Sequence, residues 1–142
     1  MLIKELMTRD VITVSPDATL KEVGKIFKEK RISGVPVVDD IGNIVGIITV
    51  TDILTIIRQI FQWQEVQRRT EGLNISEFVG TEWLNKKVSQ VMKGNVYTLD
   101  EDKNIHEVME LMFKHEIHTI PIMKDDKLVG IIGKRDLVFA SF

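Results

Sequence analysis

Two aspartates occupy matching places in the 142-residue chain and are its most chemically suggestive residues. Asp52 ends the run Gly-Ile-Ile-Thr-Val-Thr-Asp, and Asp136 ends the run Gly-Ile-Ile-Gly-Lys-Arg-Asp. Each carboxylate falls in the first turn of a predicted helix, where a negative charge faces the positive end of the helix dipole and contributes about 0.3–1 kcal/mol. The two aspartates are therefore either helix-start acids or carboxylates that bind a ligand.

The sequence lacks the residue sets that catalysis usually requires. It has no cysteine, no serine lies in a nucleophile elbow, and the glycines form neither a Walker phosphate loop nor a dinucleotide fingerprint. The three histidines, His106, His115 and His118, form no metal-binding motif, so we expect a solvated His115 and a cleft-facing His118 rather than a zinc site. We predict that the chain is not an enzyme and holds neither a catalytic cofactor nor a metal.

The composition is that of an ordinary globular protein, with 44% hydrophobic and 28% charged residues. A net charge of −2 provides no basic field for a nucleic acid or an anionic bilayer. Apolar runs such as 45–48 are far shorter than the roughly 20 residues that span a membrane, and residues 1–10 lack an apolar signal core. We therefore expect a cytoplasmic protein with no nucleic-acid partner and no membrane insertion.

The chain repeats itself internally over residues 2–54 and 87–138. A shift of 85 positions aligns identical residues in order, for example Met7 with Met92 and Pro36 with Pro121. After one residue is dropped in a turn, a shift of 84 aligns Val-Gly-Ile-Ile at 45–48 with the same four residues at 129–132, and Asp52 with Asp136. Such an ordered series indicates a duplicated structural unit.

Each copy predicts the element order β-α-β-β-α after a short amphipathic turn. The predicted strands are 11–14, 35–38 and 44–50 in the first copy and 96–99, 120–123 and 128–132 in the second. The first helices follow capping-box patterns, Thr19-x-x-Glu22 and Asn104-x-x-Glu107. The glycines at 46 and 130 mark either a close backbone approach or a bulge.

One such unit cannot cover its own apolar sheet face. We therefore predict an α/β (α+β) fold in which the two repeats pack face to face with pseudo-twofold symmetry and enclose two equivalent clefts. The predicted division is a first repeat at 1–54, a helical linker at 55–86 and a second repeat at 87–142. The linker continues an apolar helical stripe and then carries Phe78 and Trp83. It either covers one end of the module or supplies a dimer surface through Trp63 and Trp83.

Several short runs together resemble the CBS domain. They are Gly-Val-Pro-Val-Val-Asp and Gly-Ile-Ile-Thr-Val-Thr-Asp-Ile in the first copy, and His-Thr-Ile-Pro-Ile-Met-Lys and Gly-Ile-Ile-Gly-Lys-Arg-Asp-Leu in the second. The resemblance covers nearly the whole chain apart from the linker, and it implies a tandem pair, or Bateman module. It further implies an adenosine-containing ligand (AMP, ADP, ATP or S-adenosylmethionine), frequent homodimerisation, and a sensor that signals to an unidentified partner protein.

The chemistry of an adenosine site accounts for the motif. A carboxylate offers acceptors to the two ribose hydroxyls, apolar strands enclose the base, and hydroxyls or cations bind phosphate. Carried over from the family, cleft A comprises Ile47, Thr49, Thr51, Asp52, Asn95, Tyr97, Ile117 and His118. Cleft B comprises Ser15, Leu20, Ile32, Ser33, Ile131, Arg135 and Asp136.

The two clefts are not equal in sequence. Cleft A has the complete Thr-x-x-Asp pattern, so we expect it to be the better adenosine site. In cleft B the hydroxyl position is Gly133, and Lys134 with Arg135 would favour a more anionic ligand. Two other functions stay open: an architectural dimerisation module with vestigial clefts, and a binder of an S-adenosylmethionine-type metabolite.

Overall fold

The computed structural model describes residues 1–67 and 82–142. Short 3-10 turns lie at Ile3–Glu5, Glu82–Asn85 and Val88–Gln90. The helices are α1 (Leu20–Lys30), α2 (Val50–Gln67), α3 (Ile105–His115) and α4 (Lys134–Phe139). The strands are β1 (Gly34–Val38), β2 (Ile44–Thr49), β3 (Leu99–Asp100), β4 (Thr119–Lys124) and β5 (Lys127–Gly133).

Helices α1 and α3 begin at the predicted caps. The Thr19 hydroxyl accepts a hydrogen bond from the Glu22 backbone N–H at 3.2 Å, and the Thr19 backbone N–H donates to the Glu22 carboxylate at 2.9 Å. At the start of α3 the Asn104 backbone N–H likewise donates to the Glu107 carboxylate at 3.1 Å, and the Asn104 side-chain oxygen accepts from the His106 backbone N–H at 2.9 Å. Both capping-box predictions are confirmed, and they fix where each helix leaves the preceding turn.

The strand pattern is the same in both copies. Strands β1 and β2 are antiparallel with Gly34 opposite Thr49, and β4 and β5 are antiparallel with Thr119 opposite Gly133. The early strands are shorter than predicted: Val14 makes a single parallel bridge to Val37, and β3 has two residues. In the first copy Asp10 and Ile12 line the cavity described below, and the pairing with β1 is at Val14.

The two hydrophobic cores exchange their leading segments, residues 2–8 and 87–93. The core of the first copy includes Val88 from the second, and the core of the second copy includes Ile3 and Met7 from the first. Backbone pairs secure the exchange, because Thr8 and Ile131 exchange two hydrogen bonds of 2.9 Å. Ile47 and Lys93 likewise exchange two backbone hydrogen bonds, of 2.9 and 3.0 Å. Each core is therefore completed by the other copy.

Three glycines mark where the chain approaches itself closely. A Cβ on Gly46 would overlap the sulfur of Met92, and a Cβ on Gly130 would overlap the sulfur of Met7. Close approach is therefore confirmed for both, and the pairing register also shifts beside each glycine, since Val45 and Val129 are skipped opposite 37/38 and 122/123. Gly34 faces Thr119, its own counterpart 85 positions later, so the two copies touch where the pseudo-twofold axis passes.

The described start of the predicted linker, residues 55–67, is helical and belongs to α2. Trp83 packs against the core of the first copy, whereas Trp63 is exposed. Phe78 lies outside the described residues. Within 1–67 and 82–142, none of the helices combines the length and apolar character needed to cross a membrane.

Candidate ligand-binding clefts

Each aspartate sits where a strand turns directly into a helix. The Asp52 Oδ2 accepts from the Thr49 backbone N–H at 2.8 Å, and the Asp136 Oδ2 accepts from the Gly133 backbone N–H at 2.7 Å. These bonds hold the first turns of α2 and α4, so the helix-start interpretation is correct for one oxygen of each carboxylate. What the second oxygen does decides whether either aspartate is open to a ligand.

A cavity of about 990 Å³ lies between the two copies in cleft B. Five of the seven residues predicted for cleft B line it: Ile32, Ser33, Ile131, Arg135 and Asp136. Ser15 and Leu20 do not line it, because Ser15 accepts a hydrogen bond from the Asp17 backbone and Leu20 is buried in the first core. The wall includes further residues that the sequence pattern did not indicate, among them Thr8, Asp10, Ile12, Lys28 and Arg31.

The wall of this cavity is electropositive although the chain is not. Four cationic side chains line it, against the two acids Asp10 and Asp136, whereas the whole chain carries −2. The cations are Lys28, Arg31, Lys134 and Arg135. All four are exposed to solvent, and the Arg135 guanidinium lies 5.3 Å from the centre of the Phe139 ring.

The Asp52 carboxylate in cleft A is occupied by the protein itself. It is only 8% exposed, and its Oδ2 accepts a second hydrogen bond, from the Thr49 hydroxyl at 3.2 Å. Its Oδ1 pairs with the Lys93 ammonium at 2.6 Å. Lys93 is the counterpart of Thr8, since the two are 85 positions apart and end matching leading segments. Three donors therefore hold Asp52, one of them charged.

Of the other residues predicted for cleft A, Thr49 contacts Asp52 directly, through its backbone N–H and its hydroxyl. A second cavity of about 900 Å³ is lined by Asp52 and Lys93 together with Trp63 and Trp83, and by none of the other seven predicted residues. Thr51 instead lines the cavity of cleft B. The Tyr97 ring stacks on His115 with centroids 3.9 Å apart.

The remaining cleft A positions differ in exposure and in the elements that carry them. Asn95 and His118 are exposed, Ile117 is half-buried, and Ile47 and Thr49 belong to β2. Among the described residues, no three His, Asp or Glu side chains come together as a metal site.

The sequences of the two leading segments differ at one position that indicates the pairing of Asp52 with a lysine. The first leading segment reads Met-Thr at 7–8, whereas the second reads Met-Lys at 92–93. A lysine side chain is long enough to reach across the cleft and pair with a carboxylate, whereas a threonine is not. The Thr-x-x-Asp pattern alone does not reveal that the aspartate is paired with a lysine.

Comparison with known proteins identifies the family. The CBS domain model matches residues 3–59 and 88–142, so the chain belongs to the CBS domain family and contains a tandem pair. It is 33% identical over 92% of its length to protein MJ1232 of Methanocaldococcus jannaschii, and 35% identical over 94% to the inosine-5'-monophosphate dehydrogenase of the same organism. The chain spans 36% and 22% of those two proteins.

Solved structures support the same assignment. The CBS domain pair of protein MJ0100, determined in complex with 5'-methylthioadenosine and S-adenosyl-L-methionine, has a TM-score of 0.78 to this chain at 26% identity. The match covers 99% of this chain and 95% of that one. The predicted fold class, two α/β repeats arranged as a CBS pair, is confirmed.

Proposed function

We propose that this chain is a non-catalytic regulatory module that binds an adenine nucleotide in cleft B and transmits the binding to a partner protein. One observation carries the proposal: the Asp136 carboxylate opens onto an electropositive cavity of about 990 Å³ between the two copies. Small-molecule sites typically enclose about 300–1,000 Å³. The cavity is therefore large enough for a nucleotide.

Asp136 has the acceptor capacity that a ribose needs. The Gly133 backbone N–H is the one hydrogen-bond donor found on its carboxylate within the described part of the chain. Position 133 carries no hydroxyl, unlike its counterpart Thr49, which donates to Asp52. The glycine at this position thus leaves the carboxylate open to the two ribose hydroxyls.

The apolar part of the wall suits the base. Ile12 and Ile32 come from the first copy and Ile131 from the second, so a bound ring would contact both halves of the molecule. A ligand that bridges two packed units favours the arrangement in which both contacts form. Ligand binding would therefore change the relative stability of the arrangements of the two copies.

The cations favour a phosphorylated ligand. Lys28 and Arg31 lie at the end of α1, and Lys134 and Arg135 at the start of α4, so a phosphate chain would meet positive charge from both copies. S-adenosylmethionine carries a cationic sulfonium and gains less from this wall. The adenosine ligands of the MJ0100 pair support the adenosine class, and the charge balance supports the order ATP, ADP, AMP and then S-adenosylmethionine.

Calorimetric titration with these four compounds tests the proposal. Asp136→Asn keeps an acceptor for the Gly133 N–H but removes the charge, and a hydrogen bond to a charged group is worth about 1.5–3 kcal/mol. We expect ATP affinity to fall at least tenfold. Asp40→Asn, in the exposed β1–β2 turn, is the matched control and should bind as the native chain does. Unchanged binding by Asp136→Asn, or no binding of any compound at millimolar concentration, would favour the architectural function.

We also propose that the chain self-associates through the apolar surface at the cavity mouth. Leu54 of α2 and Phe139 of α4 both line the cavity, and their side chains are 63% and 61% exposed. Exposed apolar patches of this kind mark association surfaces. Sedimentation velocity should show a dimer that Phe139→Ser weakens, whereas Ile41→Ser, at a still more exposed apolar position in the β1–β2 turn, leaves it intact.

A further inference from the structure

We propose that Lys93 closes cleft A to adenosine ligands, so that the module binds one nucleotide instead of two. This inference rests on the proposed function of cleft B. Lys93 makes the two related clefts differ, because its ammonium group pairs with the carboxylate that a ligand would otherwise bind.

The pseudo-twofold relation makes the comparison direct. Lys93 and Thr8 hold equivalent positions, because each exchanges two backbone hydrogen bonds with the isoleucine of the opposite Gly-Ile-Ile run, Ile47 or Ile131. Their side chains therefore start from matching points relative to Asp52 and Asp136. In cleft B the threonine lines the cavity and leaves the carboxylate open. In cleft A the lysine reaches the carboxylate and pairs with it at 2.6 Å.

Both carboxylate oxygens of Asp52 already accept hydrogen bonds from the protein. Its Oδ2 accepts from the Thr49 backbone N–H and hydroxyl, and its Oδ1 accepts from Lys93. A ribose would have to displace the ammonium group and replace an ion pair with hydrogen bonds from uncharged hydroxyl donors. The Lys93 side chain is 58% exposed while that of Asp52 is 7% exposed, so the lysine supplies its charge from the solvent side and covers the acid. This competition weakens ligand binding by about 10- to 100-fold.

Exchanging the two counterpart residues tests the inference. Lys93→Thr gives cleft A the residue that cleft B has, and Thr8→Lys gives cleft B the residue that cleft A has. Both replacements keep the backbone pairing with β2 or β5, since neither introduces proline. Lys127→Thr, on the exposed start of β5, removes the same charge away from both clefts and serves as the control.

The measurement is the number of ATP equivalents bound in calorimetry. We expect one equivalent for the native chain and for Lys127→Thr, two for Lys93→Thr, and at least tenfold weaker binding for Thr8→Lys. The second equivalent should disappear in the double variant Lys93→Thr/Asp52→Asn, which assigns it to cleft A. Lys93→Gln, which keeps a hydrogen bond but no charge, replaces Lys93→Thr if the latter unfolds, and Thr8→Lys tests the inference independently.

The outcomes separate this inference from the proposed function. Two equivalents on the native chain, or one on folded Lys93→Thr, would overturn the role of Lys93 and leave nucleotide binding intact. No binding to the native chain but one equivalent on Lys93→Thr would uphold the lysine and overturn cleft B. No binding to either protein would overturn both.

Discussion

The carboxylates of Asp52 and Asp136 have the same backbone setting but different neighbours. Each accepts a hydrogen bond from the residue three positions earlier, at 2.8 and 2.7 Å. Asp52 then receives the Thr49 hydroxyl and the Lys93 ammonium, whereas Asp136 faces a cavity of about 990 Å³. Duplication has therefore preserved the helix cap in both copies, and the difference arises from residues that approach from elsewhere.

The motif that ends in each aspartate has two separate roles. The Gly-x-x-x-x-x-Asp spacing builds a strand–helix junction, and this role needs only local geometry. Ligand access needs an open second oxygen, and that depends on the leading segment of the opposite copy. A complete motif therefore indicates the strand–helix junction, and by itself it does not indicate a ligand site.

The largest effect on stability is expected where both copies are most alike, at the glycines that face exchanged methionines. Overpacking in a filled core costs about 1–3 kcal/mol. Met7 is buried in the second core and has less room to shift than Met92, which is only partly buried. Gly130→Ala should therefore lower the free energy of unfolding by about 2–3 kcal/mol and Gly46→Ala by about 1–2 kcal/mol, measured by urea denaturation.

Gly24→Ala is the control for these two variants. Gly24 lies inside α1, and no neighbouring atom lies within 4 Å of the point where an alanine methyl group would sit. Alanine should therefore stabilise the helix by about 1 kcal/mol. Equal effects of Gly46→Ala and Gly130→Ala would show that the two exchanged segments are equally adaptable. That result would contradict the expected asymmetry.

A smaller effect is expected at the aspartates in the absence of ligand. Loss of a helix-cap acceptor costs about 0.5–2 kcal/mol, and the charge-assisted hydrogen bond from Lys93 to the buried Asp52 adds about 1.5 kcal/mol. Asp52→Ala should therefore destabilise by about 2.5 kcal/mol and Asp136→Ala by about 1 kcal/mol. A double-mutant cycle of Asp52→Ala with Lys93→Ala isolates the pair, and a coupling of zero would remove the basis for a closed cleft A.

The smallest effect concerns the ion pairs that hold the leading segments. The Lys4 ammonium lies 2.9 Å from Asp102 and the Lys87 ammonium 3.4 Å from Asp17. The hydrogen bond and charge of Lys4 lower the pKa of Asp102 from its ordinary value of 3.8, and Asp102 raises the pKa of Lys4 from 10.5. The Asp102 contribution to stability is therefore present above pH 3.8 and is lost as the pH falls through the lowered pKa of the folded state.

A carboxyl NMR titration measures this shift directly. Asp102 should titrate below its ordinary range in the native chain and return towards it in Lys4→Met. Lys87→Met removes the lysine that pairs with Asp17, the counterpart of Asp102, and should leave Asp102 unchanged. If Lys4→Met has no effect on the titration, the pair does not hold the leading segment in solution.

Much of the fold was predictable because the signals are local and occur twice. Thr19 with Glu22 and Asn104 with Glu107 marked helix starts, and the paired Gly-Ile-Ile runs marked strands that the structure contains. The early strands were overestimated, since only Val14 in the first copy pairs with its neighbour strand. Five cleft B residues came together, whereas Leu20 went to the core because its helical spacing also satisfies a core position.

The sequence alone determined the repeated elements, their caps and the strand–helix junctions that carry the aspartates, because each of these depends on residues a few positions apart. The tertiary structure decided which copy each leading segment completes, and hence that Lys93 meets Asp52 across 41 positions. Such pairing depends on the packing of two whole units and on the reach of one side chain. No local pattern encodes either.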